Sequence, residues 1–179
     1  MTFLTRGADI IDRINDKIGN MIALLAIPMM LIVTYEVTAR YVFNSPTIWA
    51  MEINQHLLCA YTALAGGYAL LHGSHVSVDI LHERFPANIR AFVDFAAVLM
   101  GLAFLYVLFI YSLDMAIEAW EYKEQSDSMF APYMFPVKVS IPIGAVLFAF
   151  QLLSKLIRNI EQLINFYKKD AGQASTAGE

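Results

Sequence analysis

An all-α integral membrane four-helix bundle, with amphipathic interfacial helical segments at both ends, is the fold that this sequence predicts. Three observations predict it. Uncharged apolar runs at residues 19–35, 53–71, 95–113 and 139–154 fill much of the 179 residues. Hydrophobic residues make up 58% of the chain and charged residues only 16%, against about 25% charged in an ordinary soluble domain. The polar connections between the runs are short and leave no room for a soluble domain. A bilayer's hydrocarbon core is about 30 Å thick and takes roughly 20 residues of helix, a length that each run reaches with its flanks. A helix satisfies its own backbone in lipid. The runs therefore read as four spans, at about residues 19–43, 48–72, 91–115 and 138–158, within a single domain over residues 1–170.

Ahead of the first run, Phe3, Leu4, Ile10, Ile11, Ile14 and Ile18 recur at helical spacing, with Asp9, Asp12, Arg13, Asp16 and Lys17 between them. That pattern predicts an amphipathic helix resting in the membrane interface. Pro28 removes a backbone donor from the first span and predicts a kink. Asn44-Ser45-Pro46 ends that span by turn chemistry. The second span starts near Thr47 and runs to about His72-Gly73. The third begins after Pro86, and its helical pattern carries on to about Gln125. The fourth starts around Pro136 to Pro142 and extends amphipathically through Leu156, Ile157, Ile160, Leu163, Ile164 and Tyr167. Small polar residues at 171–179 predict a disordered tail. The first run is longer than the core of a signal peptide, and no small-residue cleavage site follows it, so it is expected to stay attached.

Charge sets the expected orientation. Arg6, Arg13, Lys17, Arg84, Arg90, Lys155, Arg158, Lys168 and Lys169 flank one side of the predicted spans, and Arg40, Lys123 and Lys138 the other. An excess of nine over three places both termini in the cytoplasm. The net charge of −4 and the lack of a basic stripe argue against a nucleic-acid partner. Cys59, the single cysteine, can form neither an internal disulfide nor a cysteine-based zinc site and reads as a small core residue.

Ionisable groups in a span are costly and face protein, a cavity or the interface. Glu36 and Arg40 stand at i and i+4 near the end of the first span, and Arg90 and Asp94 repeat that spacing at the start of the third. Both pairs can be interfacial anchors; alternatively, Glu36 and Arg40 organise a corner between the first two spans, with Trp49 and Glu52 nearby. Gly66 lies between Ala63 and Gly67, and between Ala65 and Ala69, two small-residue pairs at the four-residue spacing that lets helices approach closely. Glu118, Glu121, Glu124 and Asp127 recur every three residues where the third helix would emerge. They form either a solvated face or a docking surface for a soluble partner.

His56, His72, His75 and His82 do not assemble into a metal or haem site. His56 and His72 are 16 residues apart, or about 24 Å along a helix, and the other spans offer no histidine as an opposite axial ligand. No serine–histidine–acid set, phosphate loop or paired-acid site can be built, so the sequence supports no enzymatic reading and no cofactor. Two other readings are a haem-bearing anchor of a respiratory complex and a small self-sufficient exporter that pairs around a midplane acid. The histidine spacing opposes the first. Glu36, near the end of its span, opposes the second.

The stretch Arg40-Tyr41-Val42-Phe43-Asn44-Ser45-Pro46, followed by Trp49 and Glu52, then Gly66-Gly67-Tyr68-Ala69-Leu70 and Gly73-Ser74-His75-Val76-Ser77-Val78-Asp79-Ile80-Leu81, resembles one family. It is similar to the small, Q-type (DctQ-like) membrane subunit of the tripartite ATP-independent periplasmic (TRAP) transporters. Ile141-Pro142-Ile143-Gly144, the four-span layout and the inward termini share in the resemblance. Met51 and Gln55 depart from it, standing where the family often has an acid and an arginine. The resemblance implies a bacterial inner-membrane protein with two partners, a secreted periplasmic substrate-binding protein and a large permease. The large permease would hold the sodium and substrate sites and move a carrier part against a fixed scaffold. This chain would then be a stator for sodium-driven uptake of an organic anion. Glu36, Arg40, Asn44, Pro46, Trp49, Glu52, Gly66, Gly67, His75, Asp79 and Pro142 would be its structural or interface residues.

Overall fold

The computed structural model describes residues 3–73 and 87–176. It contains helices α1 (Phe3–Ala23), α2 (Ala26–Tyr41), α3 (Ala50–Leu71), α4 (Ala87–Glu121) and α5 (Phe135–Thr176). An isolated antiparallel bridge joins Gln125 to Tyr133. The starts of α1 and α4 and the ends of α3 and α5 lie at one end of the bundle, called here the near end. The connections 42–49 and 122–134 close the far end.

α1 and α2 form one interrupted rod, and Pro28 explains the interruption. Its ring crowds the carbonyl four residues back, that of Leu24, and it donates no hydrogen bond. The chain tightens there: the amides of Leu24, Leu25 and Ile27 donate to Met21, Ile22 and Leu24 at 3.2, 2.8 and 3.2 Å. The predicted kink is a break at Leu24 and Leu25. α2 ends where turn chemistry places its stop. Asn44 takes a left-handed φ of 51°, which asparagine tolerates, and the Ser45 amide reaches back to the Ala39 carbonyl at 3.0 Å.

α1 packs against α3 and α5. Its inward stripe is Ala8, Asp12, Asn15, Gly19 and Ile22, while Ile10, Ile14 and Met21 turn outward. The small and polar face meets protein because close approach and internal hydrogen bonds join helices where lipid supplies no hydrophobic drive.

Among the described residues, three helical stretches are long and apolar enough to cross a membrane: Arg6–Tyr41, Phe95–Glu121 and Phe135–Glu161. The sequence predicts a fourth span at 48–72. α3 has the length, about 33 Å at 1.5 Å per residue, but Asn54, Gln55 and His56 dilute its apolar character. It is flanked by α1, α2 and α5, so much of its surface meets protein.

α5 contacts α1, α3 and α4. Leu70 of α3, Val98 and Leu105 of α4, and Ala145 and Leu152 of α5 form the buried apolar core. α3 and α5 run parallel and touch: a Cβ on Gly144 would lie 2.1 Å from the Ala63 carbonyl oxygen.

α4 stops at Glu121 rather than near Gln125. Lys123 adopts a left-handed φ of 48°, and the Glu124 amide closes on the Ala119 carbonyl at 3.1 Å. α5 begins at Phe135, earlier than residue 138. Pro136 fits its first turn, where no donor is needed, and Pro142 lies inside the helix. The helix continues to Thr176 through the first part of the predicted tail, where Ala171, Gln173 and Ala174 favour helix. Residues 177–179 lie outside the described residues.

Candidate functional site

Polar side chains gather at the two ends of the bundle. At the far end Glu36, 3% exposed, accepts from Arg40 Nε at 2.9 Å, from the Thr47 amide at 3.1 Å and from the Thr47 hydroxyl. The i, i+4 pair thus extends to a third group in the connection after α2. Trp49 stacks on Tyr35 with ring centroids 5.9 Å apart. Asn44 and Pro46 shape the turn that brings Thr47 back. Glu52 bonds elsewhere: it accepts from the Ser128 hydroxyl, and Ser128 in turn accepts from the Ala131 amide at 3.0 Å. The first turn of α3 is thereby tied to the α4–α5 connection. Met51 and Gln55 are exposed.

The acidic run does not form one face. Glu118 and Glu121 sit exposed on the last turns of α4 and Asp127 is exposed in the following connection. Glu124 lies beyond the helix end and pairs with Lys138 of α5. A three-residue repeat needs continuous helix, and the left-handed Lys123 ends it.

At the near end a network appears that no local sequence signal announces. Asn15 Nδ2 donates to Gln151 Oε1 at 2.7 Å and Gln151 Nε2 donates to Asp12 at 2.8 Å. The Ser154 hydroxyl donates to the same Asp12 oxygen at 2.7 Å. Arg158 closes the group with ion pairs to Asp9, at 2.9 Å, and to Asp12. Asn15, Gln151 and Ser154 are all buried. Nearby, His72 approaches Asp16 at 3.5 Å. Each of these links joins α1 to another helix. Only the seven-residue spacing of Ala8, Asn15 and Ile22, read as an inward stripe, would have pointed to it.

Gly66 and Gly67 are packed within this chain. A Cβ on Gly66 would meet the Phe148 ring at 2.9 Å, and one on Gly67 would meet Asn15 Oδ1 at 2.4 Å. Their small side is therefore filled by α1 and α5. His56 Nδ1 lies 2.7 Å from the Glu52 carbonyl and His72 Nδ1 lies 3.2 Å from that of Tyr68. His75, Asp79 and His82, with the side chains of Arg90 and Asp94, lie outside the described residues. Among the described residues no three histidine, cysteine or acidic side chains converge as metal ligands.

Apolar helices on this scale, held together by polar groups turned towards one another, define a small multi-helix membrane protein. The sequence narrows that class. A sequence model of the DctQ component of the tripartite ATP-independent periplasmic transporters matches residues 29–162, and the chain belongs to this family of TRAP transporter small permease subunits. It is 22% identical over 151 residues to the ectoine TRAP transporter small permease protein TeaB of Halomonas elongata, covering 84% of this chain and 78% of that one. It is 22% identical over 165 residues to the sialic acid TRAP transporter small permease protein SiaQ of Vibrio cholerae, covering 89% of each. Over 90 residues it is 29% identical to the C4-dicarboxylate TRAP transporter small permease protein DctQ of Vibrio cholerae, covering 50% of this chain and 39% of that one.

Proposed function

We propose that this chain is the immobile, non-catalytic subunit of a three-part uptake system in the bacterial inner membrane, with both termini in the cytoplasm. It widens and braces the scaffold of a large permease, which moves the solute. Sodium and solute bind that partner, and a periplasmic binding protein delivers an organic anion to it. One observation carries this reading: among the described residues the polar networks at the two ends of the bundle close on themselves, and Asn54 Oδ1 and His56 Nε2 of α3 are the buried side-chain atoms left without a partner. Asp12, Asn15, Gln151 and Ser154 join α1 to α5, and Glu36 is enclosed by Arg40 and Thr47. A moving solute site needs groups free to exchange one partner for another. The groove of about 600 Å3 at the far end is lined by Ala119, Trp120, Tyr133, Phe135 and Pro136, with Lys123 beside Glu121. That lining offers an anion one cation next to an acid. Sialic acid and C4-dicarboxylate, named for two relatives, support an organic acid as the solute. The nine-to-three bias of basic residues supports the orientation.

Reconstitution tests the reading. Liposomes holding both membrane subunits, supplied with binding protein and a sodium gradient, should accumulate solute, and omission of this chain should abolish uptake. Full uptake without it, or transport by this chain alone, overturns the stator role.

A further inference from the structure

The outward face of α4 is incomplete as a lipid-facing surface. The residues of α4 that turn inward include Val98, Leu105, Ser112, Ala116 and Ala119, all buried. At 100° per residue, Asp114 lies about half a turn away from Leu105, Ser112 and Ala116. It is exposed, and it forms no hydrogen bond or ion pair among the described residues. Trp120 and Tyr122 are both exposed at the far end of α4, and such residues are enriched at membrane surfaces. Asp114 precedes Trp120 by six residues, about 9 Å along the helix towards the middle of the bundle, and lies within the apolar stretch Phe95–Glu121. A carboxylate at that depth is costly against lipid and is expected to face protein and a partner charge.

The corresponding face of α2 shows what a complete surface looks like. Ile27, Met30 and Leu31 are exposed there. Thr34 and Thr38 donate back to the carbonyls of Met30 and Thr34, each at 2.8 Å, so their hydroxyls are satisfied within the helix. On α3 the exposed Gln55 is neutral and stands five residues from the start of its helix, within reach of the interface. Among α2, α3 and α4, the unpaired charge of Asp114 sets the α4 face apart.

We propose that the large permease docks on this face of α4, and that Asp114 meets an arginine or lysine of a transmembrane helix of that partner. The apolar residues on this face, Met100, Val107, Ile110 and Ile117, supply the packing, and the exposed Glu118, one turn towards the far end, continues its acidic edge. This assignment rests on the stator reading and names its contact. Because the exposed side chain makes no hydrogen bond or ion pair among the described residues, substitution there separates docking from folding.

The test uses the tagged chain co-expressed with its large permease. Asp114→Lys should lower recovery of the permease by about tenfold or more, while the melting temperature of the chain purified alone stays unchanged. In a Cys59→Ala background, Val107→Cys should cross-link to the permease and Thr62→Cys should not. Wild-type recovery by Asp114→Lys overturns the proposal, as does cross-linking from position 62 but not from 107. If the wild-type chain recovers no large permease at all, the proposed function fails first and this contact fails with it.

Discussion

Asn15 of α1 donates to Gln151 of α5 at 2.7 Å, a bond between residues 136 positions apart, at 2% and 3% exposure. Neither group can find water instead. Gln151→Leu leaves a buried donor without its main partner, at a cost of about 1–3 kcal/mol. A thermal melt in detergent should show that loss. The double substitution Asn15→Leu with Gln151→Leu should be milder than the sum of the two singles, because removing both partners strands neither.

The contact of Gly144 with Ala63 is between backbones, so it has no side chain to give way. Gly144→Ala should destabilise the bundle by about 1–3 kcal/mol through overpacking, read as a fall in melting temperature. Gly7 is the control. A Cβ there meets nothing within 4 Å, so Gly7→Ala should hold or raise stability by up to about 1 kcal/mol through helix propensity.

Glu36 holds the Thr47 amide at 3.1 Å. Glu36→Ala should speed hydrogen exchange at Thr47, as followed by mass spectrometry of the 42–49 segment. Glu36→Gln keeps an acceptor and should exchange at an intermediate rate. Equal exchange in all three proteins would show that the corner does not depend on this side chain.

The acids of the far end should separate by experiment as they do in space. Glu118→Lys and Glu121→Lys, on exposed positions, should slow uptake at low binding-protein concentration if this surface steers the encounter. The effect should fade with added salt. Glu124→Lys should instead act through its broken pair with Lys138, a partly exposed bridge worth about 1 kcal/mol or less. Exchanging the two, Glu124→Lys with Lys138→Glu, should recover that loss.

Features that depend on near neighbours were legible in the sequence. Asn44-Ser45-Pro46 gave the stop of α2, Pro28 the break before it, and Gly66 with Gly67 a place of close approach. The i, i+4 spacing of Glu36 and Arg40 gave two members of the far-end corner. Thr47, the third, required knowing that the connection folds back. The near-end network escaped because its partners are more than a hundred residues apart and its α1 members resemble the wet side of an interfacial helix. An amphipathic pattern distinguishes two faces, but it does not say which of them meets the rest of the bundle; here Asn15 lies buried and Ile10 and Ile14 are exposed. The end of α4 escaped for another reason: Lys123 takes a left-handed conformation usually announced by glycine or asparagine, so the acidic repeat looked continuous.

Where Ala63 meets Gly144, two main chains lie in contact with no cushion of side chains between them. Shearing or prying apart that seam would require whole helices to separate, so it should yield less than the surrounding packing. A push from a neighbour on the far-end loops should therefore arrive at the other membrane surface as a tilt of α3 and α5 together. Whatever slack the molecule has should be found at Leu24 and Leu25, where the first rod is already cut.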